Sequence, residues 1–210
     1  MNDFSLFASP WWVNLLVTVP FIAYYFWRRR GGLDIAKQTL LVTAIFAVAF
    51  GFVEAAVVIH LRAAVGFLPG YHGTLSDVAR LSSSAGQVNS LNNLPQSLFV
   101  VEFFREIATM VMLACVALLA VPERREPRPF GGAPKGRGAA IFLWTFALWD
   151  IFYYAWLYVL IRWPQSLTTP DVLFLVPVPW YAQVWFPILV SFLTLIAVLL
   201  ATRKTGKNLQ

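Results

Sequence analysis

The stretch AAIFLWTFALWDIFYYAWLYVLI, residues 139–161, contains a single charged side chain, Asp150. A helix needs about 20 residues to cross the hydrocarbon core of a bilayer, so this stretch is long enough to span a membrane. Four further apolar runs have comparable length, at residues 11–27, 40–60, 98–119 and 181–201. The composition agrees, because 59% of the residues are hydrophobic and 12% are charged, against about 25% charged in soluble proteins. The sequence therefore predicts an all-α fold, one polytopic membrane domain (1–210) with five transmembrane helices.

Proline interrupts this pattern at two places. Pro20 should kink the first helix or end its regular part early. Residues 163–180 are apolar but contain several prolines, at positions 164, 170, 177 and 179. We therefore expect a re-entrant or interfacial segment there, with a sixth transmembrane helix as the alternative. The more polar residues 63–97 and 121–138 are expected to form an external and a cytoplasmic loop.

The basic residues predict the orientation of the chain. Twelve of the 16 lysines and arginines follow the first, third and fifth apolar runs. Because cytoplasmic loops are enriched in lysine and arginine, the N-terminus should lie outside and the C-terminus in the cytoplasm, in the cell's inner (plasma) membrane. The net charge of +6 then reflects topology and a surface facing anionic lipid headgroups, and no nucleic-acid partner is expected.

The chain has one cysteine, Cys115, within an apolar run. A disulfide framework or a cysteine-based metal cluster within one chain is therefore excluded. We expect Cys115 to be a small buried hydrophobic residue.

Four carboxylates interrupt the apolar runs: Glu54, Glu102, Glu106 and Asp150. A charged residue near the centre of a membrane helix costs about 2.5–3.5 kcal/mol on insertion scales, so such residues usually have a partner or a function. At 1.5 Å per residue, the four lie roughly 6–16 Å below the outer ends of three different helices. This common depth predicts one shared pocket that opens outward.

The helical period indicates which side chains face this pocket. Glu102 and Glu106 lie about 40° apart on their helix, with Arg105 at their flank and Thr109 on the same stripe. Asp150 shares a face with Tyr153 and Tyr154, whose phenols can hydrogen-bond a carboxylate or a ligand.

The pocket contains an excess of negative charge, because four carboxylates face mainly Arg105. A dry site does not tolerate this excess. Either one or two carboxylic acids stay protonated, or a divalent cation binds, or the pocket is wet and holds a cationic ligand.

The leading hypothesis is an enzyme that performs acid–base chemistry on a lipid or isoprenoid-like substrate, as an isomerase or cyclase does. It needs membrane lipid and a hydrophobic small molecule as partners, and no cofactor. Asp150 and Glu106 are the predicted acid–base pair, Glu54 and Glu102 are electrostatic partners, and Arg105 orients them. The predicted substrate-binding residues neighbour the acids on the same helices: Tyr153, Tyr154, Trp149, Phe103 and Thr109.

Two alternatives stay open. Glu54, Glu102, Glu106 and Asp150 together would suit a divalent metal ion, although His60 points about 120° away from Glu54 on its helix and is not an expected ligand. The charges could instead fix helix packing in a non-catalytic subunit of a homo-oligomer or larger membrane complex.

Overall fold

The computed structural model describes residues 7–64, 74, 96–121 and 136–202, and this part of the chain is mostly helical. A 3-10 helix, Trp11–Thr18, leads directly into the first α-helix. The five α-helices are α1 (Val19–Arg29), α2 (Lys37–Ala64), α3 (Gln96–Leu119), α4 (Arg137–Ile161) and α5 (Trp185–Thr202). Two strands, β1 (Pro170–Phe174) and β2 (Trp180–Gln183), lie between α4 and α5. The predicted loops 63–97 and 121–138 fall largely outside the described residues.

Three of the described helices are long and apolar enough to cross a membrane: Lys37–Leu61, Arg137–Ile161 and Trp185–Thr202. In α3, Glu102, Arg105 and Glu106 interrupt the apolar sequence, so its uncharged stretch begins only at residue 107. The first predicted run is divided between the 3-10 helix and α1. Pro20 lies in the first turn of α1. The helix type changes from 3-10 to α at Val19, and the α-helix continues past Pro20 to Arg29, so the regular part begins beside Pro20 and does not end there.

The segment 163–180 contains a β-strand, whereas its sequence predicts a re-entrant or interfacial segment. Strands β1 and β2 pair antiparallel, with Val172 opposite Tyr181 and Phe174 opposite Trp180. Aromatic and β-branched residues favour strands, which accounts for the pairing. Pro170 is tolerated because it is the first residue of its strand. The all-α prediction is therefore corrected to a mostly helical fold with a two-stranded sheet.

Helix α4 is the centre of the described bundle and packs against α2, α3 and α5. Gly51 lies where α2 packs tightly on α4, because a Cβ atom there would lie 3.1 Å from Tyr153 N and 3.2 Å from Trp149 O. Small residues at helix crossings let backbones approach in this way in membrane proteins. Trp156 Nε1 also donates to Val48 O at 3.0 Å. The α2–α4 pair is thus held both by close backbone packing and by a hydrogen bond.

The bundle has two chemically different ends. Leu33 N donates to Ala201 O at 3.0 Å, and Arg137 pairs with Asp34, so the ends of α1 and α5 meet the start of α4. Arg28–Arg30 and Lys37 belong to this end by their sequence positions. At the opposite end, Ser9 forms a bridge with Tyr181 of β2. The hairpin and the 3-10 helix therefore lie away from the basic end.

Cys115 is exposed, so the expectation of a buried cysteine is wrong. On α3 the fully buried Leu113 faces α2 and α4. Cys115 is two residues further along, which turns it about 200° around the helix to the outer face. Large apolar side chains are exposed on the same helix at Val111, Leu118 and Leu119.

Candidate functional site

One cavity of about 440 Å³ lies between the helices and the hairpin. Sites for small molecules have volumes of about 300–1,000 Å³ and mostly apolar walls. Its walls are contributed by the 3-10 helix, all five α-helices and both strands. They include an aromatic group formed by Phe146, Trp149, Tyr153, Phe174 and Trp180. Trp149 stacks on Tyr153 with ring centroids 6.1 Å apart. The cavity is therefore large enough for a small lipid and mostly apolar.

The structure brings nine of the ten predicted site residues to this cavity. They are Glu54, Glu102, Glu106, Asp150, Arg105, Thr109, Trp149, Tyr153 and Tyr154. Phe103 is the exception, because it does not line the cavity and its ring packs on Phe104 at 5.7 Å. On the helix Phe103 lies about 100° from Glu102 but only about 60° from Glu106, so its absence from the lining reflects how its ring packs and not its position on the helix alone. The prediction of Phe103 as a substrate-binding residue is corrected accordingly.

Arg105 binds two carboxylates from different helices. Its Nε donates to Glu102 Oε2 at 2.9 Å, and a terminal nitrogen donates to the second oxygen of the same carboxylate. The other terminal nitrogen pairs with Glu54 of α2, and Thr109 Oγ1 donates to Glu54 Oε1 at 2.9 Å. A bidentate arginine–carboxylate pair is both strong and directional. These contacts connect α3 to α2, and we call Glu54, Arg105 and Glu102 the ion triad.

Glu106 lies one turn from Glu102 but has a different partner. Its Oε2 accepts a hydrogen bond from the backbone N–H of Leu175 at 2.8 Å. Leu175 is the residue directly after β1. This contact therefore joins α3 to the hairpin through a neutral donor.

Asp150, near the middle of α4, also has a neutral donor. Ser191 of α5 donates its hydroxyl to Asp150 Oδ2 at 2.7 Å, and both side chains are buried. Ser191 lines the cavity but is not predicted from the sequence, because a serine in an apolar helix is common and carries no charge signal. Its contact connects α4 to α5 beside the cavity.

A fifth carboxylate, Asp171 of β1, lines the cavity and is also absent from the predicted site. Tyr154 donates its hydroxyl to Asp171 Oδ2 at 2.8 Å, and both residues are buried. A signal is present in the sequence, because Asp171 is the only charged residue between Arg162 and Arg203. The other four carboxylates are singled out because a charge inside a predicted apolar helix is costly. Asp171 lies outside the predicted helices, so the same argument does not identify it.

Two tryptophans of the cavity wall have an unused hydrogen-bond donor. The Nε1 atoms of Trp149 and Trp180 are buried, and neither has a hydrogen-bond partner among the described residues. An indole nitrogen can only donate. Both side chains line the cavity, but the two Nε1 atoms themselves are closed to solvent and do not face its open space.

The carboxylates do not form one metal site. Among the described residues, no group of three or more His, Cys, Asp or Glu side chains is arranged to hold a metal ion. Glu54 and Glu102 bind Arg105, whereas Glu106 and Asp150 bind donors on the hairpin and on α5. His60 is exposed, and its Nδ1 lies 2.6 Å from Ala56 O. The geometry gives no support to the divalent-metal alternative.

The arrangement provides two chemically different regions along one apolar cavity. The ion triad is internally paired, whereas Glu106 and Asp150 are held by an amide and a hydroxyl. A carboxyl group that is held only by a neutral donor, as Glu106 and Asp150 are, can exchange a proton with a ligand.

Comparisons with protein-family models, curated proteins and solved structures find no match to this chain.

Proposed function

We propose that this protein is a membrane-embedded enzyme that performs acid–base chemistry, of the isomerase or cyclase type, on a hydrophobic lipid-like substrate. The observation that carries the proposal is the placement of Glu106 and Asp150. They come from different helices, line the same largely apolar cavity, and are held by neutral donors outside the ion triad. Pairs of carboxyl groups in different surroundings are a common basis for assigning separate acid and base roles.

A double-bond shift illustrates the chemistry that this pair can perform. One carboxylic acid gives its proton to an alkene carbon, and the π electron pair forms the new C–H bond. The other carboxylate removes a proton from a neighbouring carbon, and that C–H electron pair forms the new double bond. One proton passes from acid to base, so no oxidant or reductant is required. Positioned proton transfer of this kind contributes about 10²–10⁴-fold to a rate.

The aromatic wall has a matching role in this proposal. Protonation of an alkene creates positive charge on carbon, and aromatic faces attract a cation within about 6 Å of the ring centre. Phe146, Trp149 and Tyr153 form a continuous row along α4, with centroid separations of 5.5 and 6.1 Å. We assign these rings to the stabilisation of the developing charge.

The ion triad has a positioning role in this proposal. Arg105 already binds both Glu54 and Glu102, which leaves these carboxylates poorly suited to take a proton from a substrate. Thr109 adds a further donor to Glu54. We infer that the triad and Thr109 fix α3 against α2 and so orient Glu106, which follows Arg105 directly in the chain.

We also propose the membrane arrangement in which this chemistry takes place. The chain crosses the plasma membrane five times, with the N-terminus outside and the C-terminus in the cytoplasm, and the hairpin lies at the outer end. Two observations support this arrangement: the grouping of basic residues at one end of the bundle, and the location of the hairpin at the other.

Solvent deuterium exchange tests the proposed chemistry and does not require the substrate to be identified first. The purified protein is reconstituted with neutral lipids extracted from a host membrane and incubated in D₂O, and the lipids are analysed by mass spectrometry. Acid–base catalysis at carbon should place deuterium on at least one lipid. Glu106→Gln and Asp150→Asn should each abolish this incorporation while the protein still inserts and purifies normally.

The control for this experiment is Lys37→Met, an exposed position at the start of α2, which should exchange at the wild-type rate. Absence of protein-dependent deuterium incorporation with wild-type protein would remove the enzymatic proposal. Equal incorporation by wild type and both variants would remove Glu106 and Asp150 from the reaction.

A non-catalytic membrane subunit is the second candidate. The observation that favours it is that every cavity carboxylate has a donor within the chain, as expected of polar groups that hold helices together. In this case the exchange experiment gives no incorporation, and a fixed partner protein or a second copy of the chain co-purifies from mild detergent.

A further inference from the structure

Strand β1 has one edge that pairs with no other strand among the described residues. The sheet consists of β1 and β2, and the far side of β2 is covered where Tyr181 bridges to Ser9. The opposite edge, on β1, has no such neighbour. Backbone N–H and C=O groups are strong hydrogen-bonding groups, and leaving them unpaired away from water is unfavourable. The groups on this open edge therefore indicate what the edge can bind.

The register of the hairpin shows which backbone groups lie on the open edge. Opposite residues of an antiparallel ladder alternate between hydrogen-bonded and non-hydrogen-bonded pairs. Tyr181 lies opposite Val172, but its N–H and C=O both bond to Ser9, at 2.8 Å each. The N–H and C=O of Val172 therefore point away from β2. The bond from Val184 N to Thr169 O, at 3.0 Å, is in phase with this assignment.

The backbone of Val172 has no partner on that side within the described part of the chain. No described residue outside the hairpin forms a backbone hydrogen bond with it, and no third strand lies beside β1. Val172 is partly exposed and lines the cavity. The edge thus presents one free donor and one free acceptor, both from the same residue.

Two observations place this edge beside the cavity. Glu106, which lines the cavity, accepts a hydrogen bond from Leu175 N at 2.8 Å, three residues beyond Val172. In addition, residues 171–176 all line the cavity, although successive side chains of a strand point to opposite faces. A lining of six consecutive residues fits an edge, whereas one face would contribute every second residue. A molecule in the cavity therefore lies alongside the free groups of Val172.

A free N–H next to a free C=O restricts the chemical class of the molecule. A secondary amide complements both groups, because it contains one acceptor and one donor, as the peptide group itself does. An ester or ketone can only accept, and an ammonium group can only donate. A carboxylate has no donor and would face the Val172 carbonyl together with the acidic lining residues Glu106 and Asp171.

We propose that the cavity binds an uncharged lipid amide, whose carbonyl accepts a hydrogen bond from Val172 N–H and whose N–H donates to Val172 C=O. The ligand extends the sheet by one pair of hydrogen bonds, in the way that peptides add to open strand edges. Its hydrocarbon chain packs on the apolar and aromatic walls. The proposal names the substrate class of the proposed function and in that respect rests on it, since the amide anchors the lipid on the edge that Glu106 contacts.

A chain-matched ligand series tests this inference by binding alone. Full-length protein in lipid nanodiscs is heated with a long-chain alkane and with the matching alcohol, methyl ester, secondary amide and N-methylated tertiary amide, and the melting temperature is recorded. A ligand that binds only the folded state raises the melting temperature according to its affinity. The secondary amide should bind about three- to tenfold more tightly than the tertiary amide, which lacks the donor, as expected for one hydrogen bond.

Val172→Pro isolates the backbone donor. Proline is tolerated on an edge strand where its missing N–H would face away from the ladder, so the substitution removes the free N–H without removing a ladder bond. The preference for either amide over the alkane should fall about three- to tenfold. Val172→Ala is the matched control, because it shortens the side chain but keeps the N–H, and it should keep the wild-type preference. An unchanged preference in Val172→Pro overturns the assignment of the hydrogen bond.

A spectroscopic measurement decides the matter even if Val172→Pro does not fold. In protein with isotope-labelled valine, the backbone amide signal of Val172 is assigned by its loss in Val172→Ala. This signal should shift when the secondary amide is added and stay in place with the alkane. The absence of such a shift, or a secondary amide that stabilises no better than the tertiary amide, the ester or the alkane, overturns the ligand class. Strongest binding of the alcohol also overturns it and identifies a single-oxygen ligand.

The result is separable from the deuterium test of the proposed function. Selective binding of the secondary amide without deuterium incorporation removes the enzymatic function but keeps the ligand class. Deuterium incorporation without this selectivity keeps the enzymatic function and removes the ligand class.

Discussion

Glu54, Glu102 and Arg105 bring three charges into an apolar bundle, and they do so as a mutually paired group. The side chain of Arg105 is 23% exposed and that of Glu54 is 5% exposed. Charges buried to this degree are retained when they are paired and hydrogen-bonded, but the loss of one partner leaves the others uncompensated. Arg105 is therefore the residue on which the charge balance of α2 and α3 depends.

Arg105→Met should destabilise the protein by about 3–5 kcal/mol, because it leaves two buried carboxylates without their cation. Arg105→Lys should be intermediate, since an ammonium group cannot form the bidentate contact with Glu102. The measurement is thermal unfolding in a fixed detergent, with Lys37→Met as a control that should change little. If Arg105→Met and Lys37→Met melt at the same temperature, the triad has no structural role.

A double variant refines this prediction. Glu54→Gln in the Arg105→Met background removes one of the two unpaired charges, so part of the lost stability should return. Groups that contact one another are expected to be non-additive in this way. Strict additivity of the two single effects would contradict the contact between Arg105 and Glu54.

Some residues of the site can be predicted from the sequence and others cannot. The carboxylates of the apolar runs are identifiable because the cost of burying a charge makes each one conspicuous there. Asp171 is not predicted as a site residue because it lies in a strand that the sequence does not predict. Phe103 is predicted as a substrate-binding residue but does not line the cavity, because a neighbour of Glu102 in sequence need not share its surroundings. The pairing of Asp150 with Ser191 depends on packing between α4 and α5, which no local pattern encodes.

At the scale of elements, Gly51 marks a close backbone contact between α2 and α4. A Cβ atom at this position would contact α4 backbone atoms at 3.1–3.3 Å, and backbone cannot move aside as a flexible side chain can. The neighbouring α4 residues Trp149 and Tyr153 both line the cavity. Packing at Gly51 and the shape of the cavity are therefore linked.

Gly51→Ala should destabilise the protein by about 1–3 kcal/mol, because the added methyl group overpacks the α2–α4 contact. Gly138 offers a matched control in α4, since a Cβ atom there would meet Val121 Cγ2 at an ordinary 3.8 Å. Gly138→Ala should be neutral or slightly stabilising, because alanine favours helix over glycine. The comparison is made by thermal unfolding, and a Gly51→Ala protein as stable as Gly138→Ala would show that α2 and α4 are not this close.

Elements are predictable from sequence to different degrees. The apolar runs locate the described helices to within a few residues at most ends; for α4 the run 139–161 compares with Arg137–Ile161. The hairpin cannot be obtained in the same way, because its pairing of Val172 with Tyr181 is set by tertiary contact. The prolines of residues 163–180 argue against a continuous helix there, but they do not predict which structure forms instead.

At the scale of the whole molecule, the bundle separates a basic end from an end that carries the hairpin. Arg28, Arg29 and Arg30 close α1 at the basic end, and the Arg137–Asp34 pair lies beside them in the fold. The cavity carboxylates lie towards the hairpin end, since Glu106 and Asp171 contact or belong to the hairpin region. In the proposed topology the cavity therefore occupies the outer half of the membrane.

Cysteine labelling on intact cells tests this orientation. In a Cys115→Ala background, Leu167→Cys should react with a membrane-impermeant maleimide, because Leu167 is exposed and lies next to the hairpin. Arg30→Cys, exposed at the other end, should react only after permeabilisation. The reverse pattern would invert the proposed topology, and labelling of both positions without permeabilisation would contradict a membrane between them.

A density map of the protein purified in native-lipid nanodiscs tests most directly whether acidic groups from separate helices share one lipid-binding cavity. We expect Glu106 and Asp150 to face a common space that contains elongated density. A metal peak bridging the carboxylates, or Glu106 and Asp150 on unrelated faces of the bundle, would contradict both the shared cavity and the chemistry proposed for it.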